Sequence, residues 1–162
     1  MFRIGDKIVY PMHGAGVIED LEIKEVLGER REYFILRMPI GDMKVMVPVE
    51  NIEEVGVRDI ITEEEVRDVF EILKDKKSKM PDNWNRRYRS NLDLIKTGDI
   101  NQIAEVVRNL SLLDKEKGLS TGERKMLNDA KKILYSELVL ASNLSVAEIE
   151  KLVDEAIFNE EI

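Results

Sequence analysis

The stretch Gly56-Val57-Arg58-Asp59-Ile60-Ile61-Thr62-Glu63-Glu64-Glu65-Val66-Arg67-Asp68-Val69-Phe70 decides the fold, because the hydrophobic period changes within it. Before it, apolar residues come in short alternating or continuous groups rich in Val, Ile, Tyr and Phe and punctuated by glycine, which is the pattern of strands. After it they recur at intervals of three and four, the pattern of helices. Thr62 and Glu65 form a capping box ahead of the stripe Val66, Val69, Phe70 and Leu73. The change of period predicts an α+β protein in two parts, residues 1–60 and residues 61–162.

Working toward the N-terminus, the strand groups are Lys7 to Tyr10, Gly16 to Val26, Glu32 to Met38 and Met43 to Pro48. Their connectors, Pro11-Met12-His13-Gly14, Leu27-Gly28-Glu29-Arg30 and Pro39-Ile40-Gly41-Asp42, carry turn chemistry. Four or five short strands with tight turns predict a small antiparallel β-barrel. Strict alternation puts Val17, Leu21 and Ile23 on one face and Ile18, Asp20, Glu22 and Lys24 on the other, with Lys24 pointing outward. The same rule places Val45 and Val47 inside, Lys44 and Met46 outside.

Toward the C-terminus the pattern predicts a bundle of about five helices. A second helix starts after Pro81, with Asp82 or Asn83 as cap, and stops at Gly98. Asp99 caps a third, with Ile103, Val107 and Leu110 inward, ending near Lys117-Gly118. Ser120 and Glu123 form a second capping box, opening a long fourth helix with the stripe Met126, Leu127, Ala130, Ile133, Leu134, Leu138 and Ala141. A last helix after Ser145 carries Ile149, Leu152, Val153 and Ala156 and is acidic at its end. Short connections favour antiparallel neighbours in one bundle.

Composition narrows the function classes. The 162 residues include 43% apolar and 36% charged side chains, with a formal charge of −8, which argues against coating nucleic acid or anionic membranes through bulk electrostatics. There is no cysteine and one histidine, so neither a disulfide framework nor a thiolate or His-rich metal site is expected. The N-terminus lacks signal-peptide character, and no stretch approaches the ~18 apolar residues of a membrane helix. A cytoplasmic protein without cofactor or metal is expected. Nothing resembles an assembled nucleophile, base and oxyanion site, so an enzyme is not expected.

The charge is unevenly placed. Lys74 to Arg89 holds seven basic and two acidic residues, a net of +5 that leaves −13 on the rest. Trp84, the only tryptophan, and Tyr88 are interleaved with it near the start of a helix. Arginines and helix amides bind phosphate, and an aromatic can wedge between bases. Alternatively, Trp84, Tyr88, Leu92 and Ile95 recur at i, i+4, i+8 and i+11, so Trp84 can head a core stripe and the arginines form a solvated face. His13 reads as a turn residue. Gly14-Ala15-Gly16 lacks the spacing of a phosphate loop, and Glu63-Glu64-Glu65 suits the helix dipole.

Four segments together resemble the CarD family of bacterial transcription regulators: Phe2-Arg3-Ile4-Gly5-Asp6-Lys7-Ile8-Val9-Tyr10-Pro11 with His13-Gly14; Val47-Pro48 through Asn51 and Gly56-Val57-Arg58; Asn83-Trp84-Asn85-Arg86-Arg87-Tyr88; and Gly118-Leu119-Ser120-Thr121-Gly122-Glu123-Arg124-Lys125-Met126-Leu127. The resemblance implies a Tudor-like N-terminal domain that binds the RNA polymerase β subunit, and a helical domain that contacts promoter DNA at the upstream edge of the melted bubble and stabilises the open complex. It implies a minor-groove wedge at Trp84, with little or no sequence specificity, and backbone contacts from Arg86, Arg87, Arg89 and Arg124. Polymerase contacts fall on Lys24, Lys44 and Met46. Better-known members tend to have an arginine where this sequence has Met46, so the contact is expected to be more apolar here.

An acidic protein with one +5 patch should bind free DNA poorly, since non-specific affinities are only on the order of 10⁻⁴ to 10⁻⁶ M. Tethering to polymerase supplies an effective concentration of roughly millimolar and removes the difficulty. A monomer is expected. The competing reading is a protein-only polymerase adaptor without DNA contact, and exposure of Trp84 separates the two.

Overall fold

The computed structural model describes residues 1–158; the acidic end expected for the last helix, at Glu160 and Glu161, lies outside them. The strands are β1 (Lys7–Tyr10), β2 (Gly14–Val26), β3 (Glu29–Arg37), β4 (Lys44–Pro48) and β5 (Arg58–Asp59). The helices are α1 (Glu63–Lys74), α2 (Trp84–Lys96), α3 (Ile100–Glu116), α4 (Thr121–Ser142) and α5 (Val146–Phe158). Both capping boxes form, at Thr62–Glu65 and Ser120–Glu123, and Asn83 rather than Asp82 caps α2, accepting from the amides of Asn85 and Arg86.

All pairings are antiparallel in the order β4-β3-β2-β1-β5. The expected barrel is therefore an open sheet, with β4 and β5 as edges that do not meet. Leu27 and Gly28, both at positive φ, close the two-residue turn of the long β2–β3 hairpin. The alternation expected for β2 also fails. The register shifts between Ile18 and Asp20, and Glu19 is the extra residue. This bulge moves Ile18, rather than Val17, onto the face of Leu21 and Ile23. Ile18 is buried, but Leu21 and Ile23 are exposed because they run out along the hairpin beyond the core. In α5 the expected stripe needs one change: Leu152 is exposed and Ile157 is buried.

Two apolar clusters result. The sheet contributes Ile8, Ile18, Phe34, Leu36, Met38, Val47 and Val57, and the helices a much larger set around Leu73, Leu110, Leu134, Leu138 and Ile149. A core this small needs support, and α4 supplies it. Gly14 lies so close to α4 that an added Cβ would sit 2.7 Å from Ser136 Oγ and 3.4 Å from Ile133 Cα. The Ala15 amide donates to Ser136 Oγ at 2.8 Å, and Lys7 Nζ to the Leu140 carbonyl at 3.2 Å. Arg58 makes two 2.8 Å bonds to the buried Glu137 carboxylate and donates to the Gly98 carbonyl, while the Ile61 amide donates to the same carboxylate at 2.9 Å. The period change read from the sequence thus coincides with a staple between the two parts.

Candidate docking face and nucleic-acid interface

Cross-strand register brings the three residues expected to face polymerase onto one side of the sheet. Met46 lies opposite Ile35, which lies opposite Asp20; Lys44 lies opposite Arg37; Lys24 lies opposite Arg31. Side chains at paired positions share a face, so Lys24, Lys44 and Met46 join Arg31, Tyr33, Ile35 and Arg37 on the outer side. Lys44 and Arg37 both bind Glu19, at 3.2 and 3.1 Å, and the bulge is what carries Glu19 to them. The Arg37 and Lys44 hydrogen bonds hold the Glu19 carboxyl below the usual carboxylate range. Lys24 approaches Glu22 at 3.9 Å. Between these charged ends Met46 is 38% exposed over a buried Ile35. The outer edge of β4, unpaired, offers main-chain donors and acceptors to an incoming strand. Tyr33, Ile35 and Arg31 escaped the sequence reading, although pairing registers would have found them.

The second region is the end of the bundle where α2 and α4 begin. Trp84 opens α2 and is 51% exposed. The stripe it heads is real, since Tyr88 and Leu92 pack on the helical core and Ile95 is buried, but Trp84 lies one turn beyond its edge. The first turn of α2 holds no acidic residue, so its amide dipoles are not offset there. Arg86 and Arg89, three apart on the solvent side, are exposed and make no ion pair among the described residues.

The other two expected DNA contacts are differently placed. Arg87 is 15% exposed at its side chain and paired with Glu123, which is 1% exposed. Its Nε donates to Glu123 Oε2 at 2.6 Å, its Nη2 to Oε1 at 2.9 Å, and its Nη1 to the carbonyls of Asp82 and Pro81 at 3.2 and 3.4 Å. Arg124 is exposed but reaches Asp114 at 3.2 Å. Earlier in the same basic run, Lys77 binds Glu116, and Ser78 is held by Arg108, Glu105 and Asn109 of α3. The Lys74–Arg89 run is therefore partly a strap along α3 and not a uniformly solvated stripe. Sequence reasoning had no signal for Glu123 beyond its capping box.

Among the described residues, no group of three or more His, Asp or Glu side chains suits a metal ion, and no helix is long and apolar enough to cross a membrane.

An open sheet with an accessible edge is thus fixed to a helical bundle whose tip combines an exposed indole with two arginines that make no ion pair among the described residues. Two family models match the chain, the CarD-like/TRCF RID domain over residues 2–61 and the CarD C-terminal domain over residues 68–154. The chain belongs to the CarD family. It is 42% identical over 150 residues to "Putative transcription factor YdeB" of Bacillus subtilis (strain 168), covering 93% of this chain and 98% of that protein.

Proposed function

We propose that this protein regulates transcription initiation by docking on the RNA polymerase β subunit through its sheet and holding promoter DNA at the upstream edge of the melted bubble with its helical tip. The outer face around Met46 and the free edge of β4 make the polymerase contact, with main-chain pairing supplying part of the affinity. Lys24 and Lys44 flank it. Trp84 enters the minor groove as a wedge, while Arg86, Arg89 and the α2 amides face phosphate. Arg124 joins them by exchanging Asp114 for the DNA backbone.

The observation that carries this reading is the position of Trp84. A protein-only adaptor gains nothing from a half-exposed indole at a helix start beside two unpaired arginines, whereas a wedge requires it. Binding melted promoter better than closed promoter shifts polymerase toward the open complex, by no more than the difference in affinity. The test is a promoter-opening assay with purified cognate polymerase. Wild-type protein should lengthen open-complex lifetime. Trp84→Ala should lose this while still binding the β subunit, and Lys24→Glu with Met46→Glu should lose both. Full activity of Trp84→Ala would favour the protein-only adaptor. Unchanged β-subunit capture by the double variant would move the docking face elsewhere.

A further inference from the structure

Among the described residues Glu123 is the least exposed acidic side chain, yet it sits at the end that the proposed function turns toward an anion. Its carboxylate has two jobs. One oxygen closes the α4 capping box, accepting from the Ser120 amide at 3.5 Å and also from Ser120 Oγ at 3.0 Å, and both oxygens take the Arg87 fork. The remaining Arg87 nitrogen reaches back to the carbonyls of Pro81 and Asp82. One ion pair therefore ties together the chain entering α2, the first turn of α2 and the first turn of α4. Trp84 lies within that tie, between the Asp82 carbonyl and Arg87, with Asn83 capping the helix alongside it. The Tyr88 ring also faces Gly122 at the start of α4, where an added Cβ would lie at an ordinary packing distance of 3.8 Å from it.

We infer that Arg87 and Glu123 are positioning residues that set where Trp84 is presented to DNA, and that Arg87 is not itself a phosphate contact. The inference rests on the wedge reading of Trp84 and gives Arg87 a different role from the backbone contact that the resemblance implies. A guanidinium offers five N–H groups in a rigid fork. Here all three nitrogens are already engaged and the side chain is mostly buried, whereas Arg86 and Arg89 are exposed and make no ion pair among the described residues. Hydrogen bonding from Arg87 also lowers the Glu123 pKa, so the carboxylate stays ionised.

The two possible roles of Arg87 predict opposite outcomes. If simple electrostatics governs the tip, Glu123→Gln removes a negative charge near DNA and strengthens binding. If the pair positions Trp84, the same change weakens it. Arg87→Lys keeps the charge but cannot reproduce the fork, so a phosphate contact would survive and a positioning contact would not. The experiment measures open-complex lifetime and the salt dependence of promoter binding for the full-length variants with polymerase. It also follows amide exchange over residues 80–88 and Trp84 fluorescence in the free protein. Glu123→Gln and Arg87→Lys should each shorten the lifetime about ten-fold, within the range of coupling between members of one hydrogen-bond network. The salt slope should stay at the wild-type value, while Arg86→Ala reduces it by about one. Exchange over 80–88 should quicken and Trp84 emission should shift in both variants, with β-subunit capture unchanged.

Tighter promoter binding by Glu123→Gln, or a wild-type lifetime for Arg87→Lys, overturns the proposal. If Glu123→Gln fails to fold, Arg87→Lys decides, because it leaves a cation beside the buried carboxylate. If Trp84→Ala proves fully active, the wedge reading fails by itself. Faster exchange and shifted emission would then still show the pair holding the tip, and wild-type values for both would remove the positioning role as well.

Discussion

The two ends of α4 repeat one device with different backing. At the domain junction, buried Glu137 holds Arg58 of β5; at the tip, buried Glu123 holds Arg87 of α2. At the junction the pair is one fastening among several, beside the Ile61 amide, the Gly98 carbonyl, the Ala15–Ser136 bond and the contact of Gly14 with the helix backbone. At the tip Arg87 has, besides Glu123, two long bonds to carbonyls of an irregular segment. The same chemistry thus ties the sheet to the bundle at one end and the start of α2 to the start of α4 at the other. Redundancy suits the first task, because the spacing between the outer sheet face and the α2 tip, on which the proposed function depends, is fixed only if the junction does not bend.

The comparison breaks most visibly at the junction. Glu137→Ala leaves the Arg58 guanidinium and the Ile61 amide without their partner. Removing one member of a buried pair costs about 3 to 5 kcal/mol, and the lower end, about 3 kcal/mol, is expected because Arg58 retains 32% side-chain exposure. Chemical denaturation measures it. Gly14→Ala should follow at about 1 to 3 kcal/mol, the range for overpacking, since its φ of 109° and the nearby Ser136 Oγ both oppose a side chain. If neither variant loses stability, the parts are less firmly joined than this geometry implies.

Acid should separate the ends next. The Arg87 hydrogen bond lowers the Glu123 pKa below its unfolded value of about 4.3. A depressed folded pKa means stability that is complete above the unfolded value and lost as pH falls through the folded one. The charged or polar groups concerned are Arg87, with Asp82 beside it, and Ser120. Lowering pH below about 4 should therefore change Trp84 fluorescence before, or together with, the loss of helical circular dichroism. Glu123→Gln should remove any separate early change. An early acid transition that persists in Glu123→Gln would assign it to another carboxylate.

Much of this was legible in the chain. The change of period at Thr62 located the shift from strands to helices, both capping boxes formed at the expected residues, and the alternation Lys44, Val45, Met46, Val47 placed each side chain on its observed face. What escaped were matters of pairing. No local pattern showed that Glu19 is a bulge, because a bulge is defined by the partner strand. Closure of the barrel was overestimated because turns specify neighbours, not whether the outermost strands meet. The exposure of Trp84 could not be read either: a stripe of period 3.6 fixes a face but not where the supporting bundle ends. Nothing in the local pattern marked Glu137, or Glu123 beyond its capping box, since burial beside an arginine distant in sequence leaves no mark on spacing.

The smallest stability effect is expected at Trp84, and this sharpens the comparison furthest. Truncating a buried aromatic costs roughly 3 to 5 kcal/mol. With half its surface in solvent, and with Asn83, Asn85 and Arg86 exposed around it, Trp84 has far less contact to lose. Trp84→Ala should therefore change stability by no more than about 1 kcal/mol, near the range of surface substitutions. Ile95, on the same stripe but 4% exposed, provides the internal control. Ile95→Ala should cost about 2 to 5 kcal/mol and should lower open-complex lifetime only as far as it unfolds the protein. Trp84→Ala should show the reverse: near-native denaturation and a lifetime close to that without the protein. Similar stability losses in the two variants would return Trp84 to the core stripe and leave Arg86 and Arg89 as the principal DNA contacts of the tip.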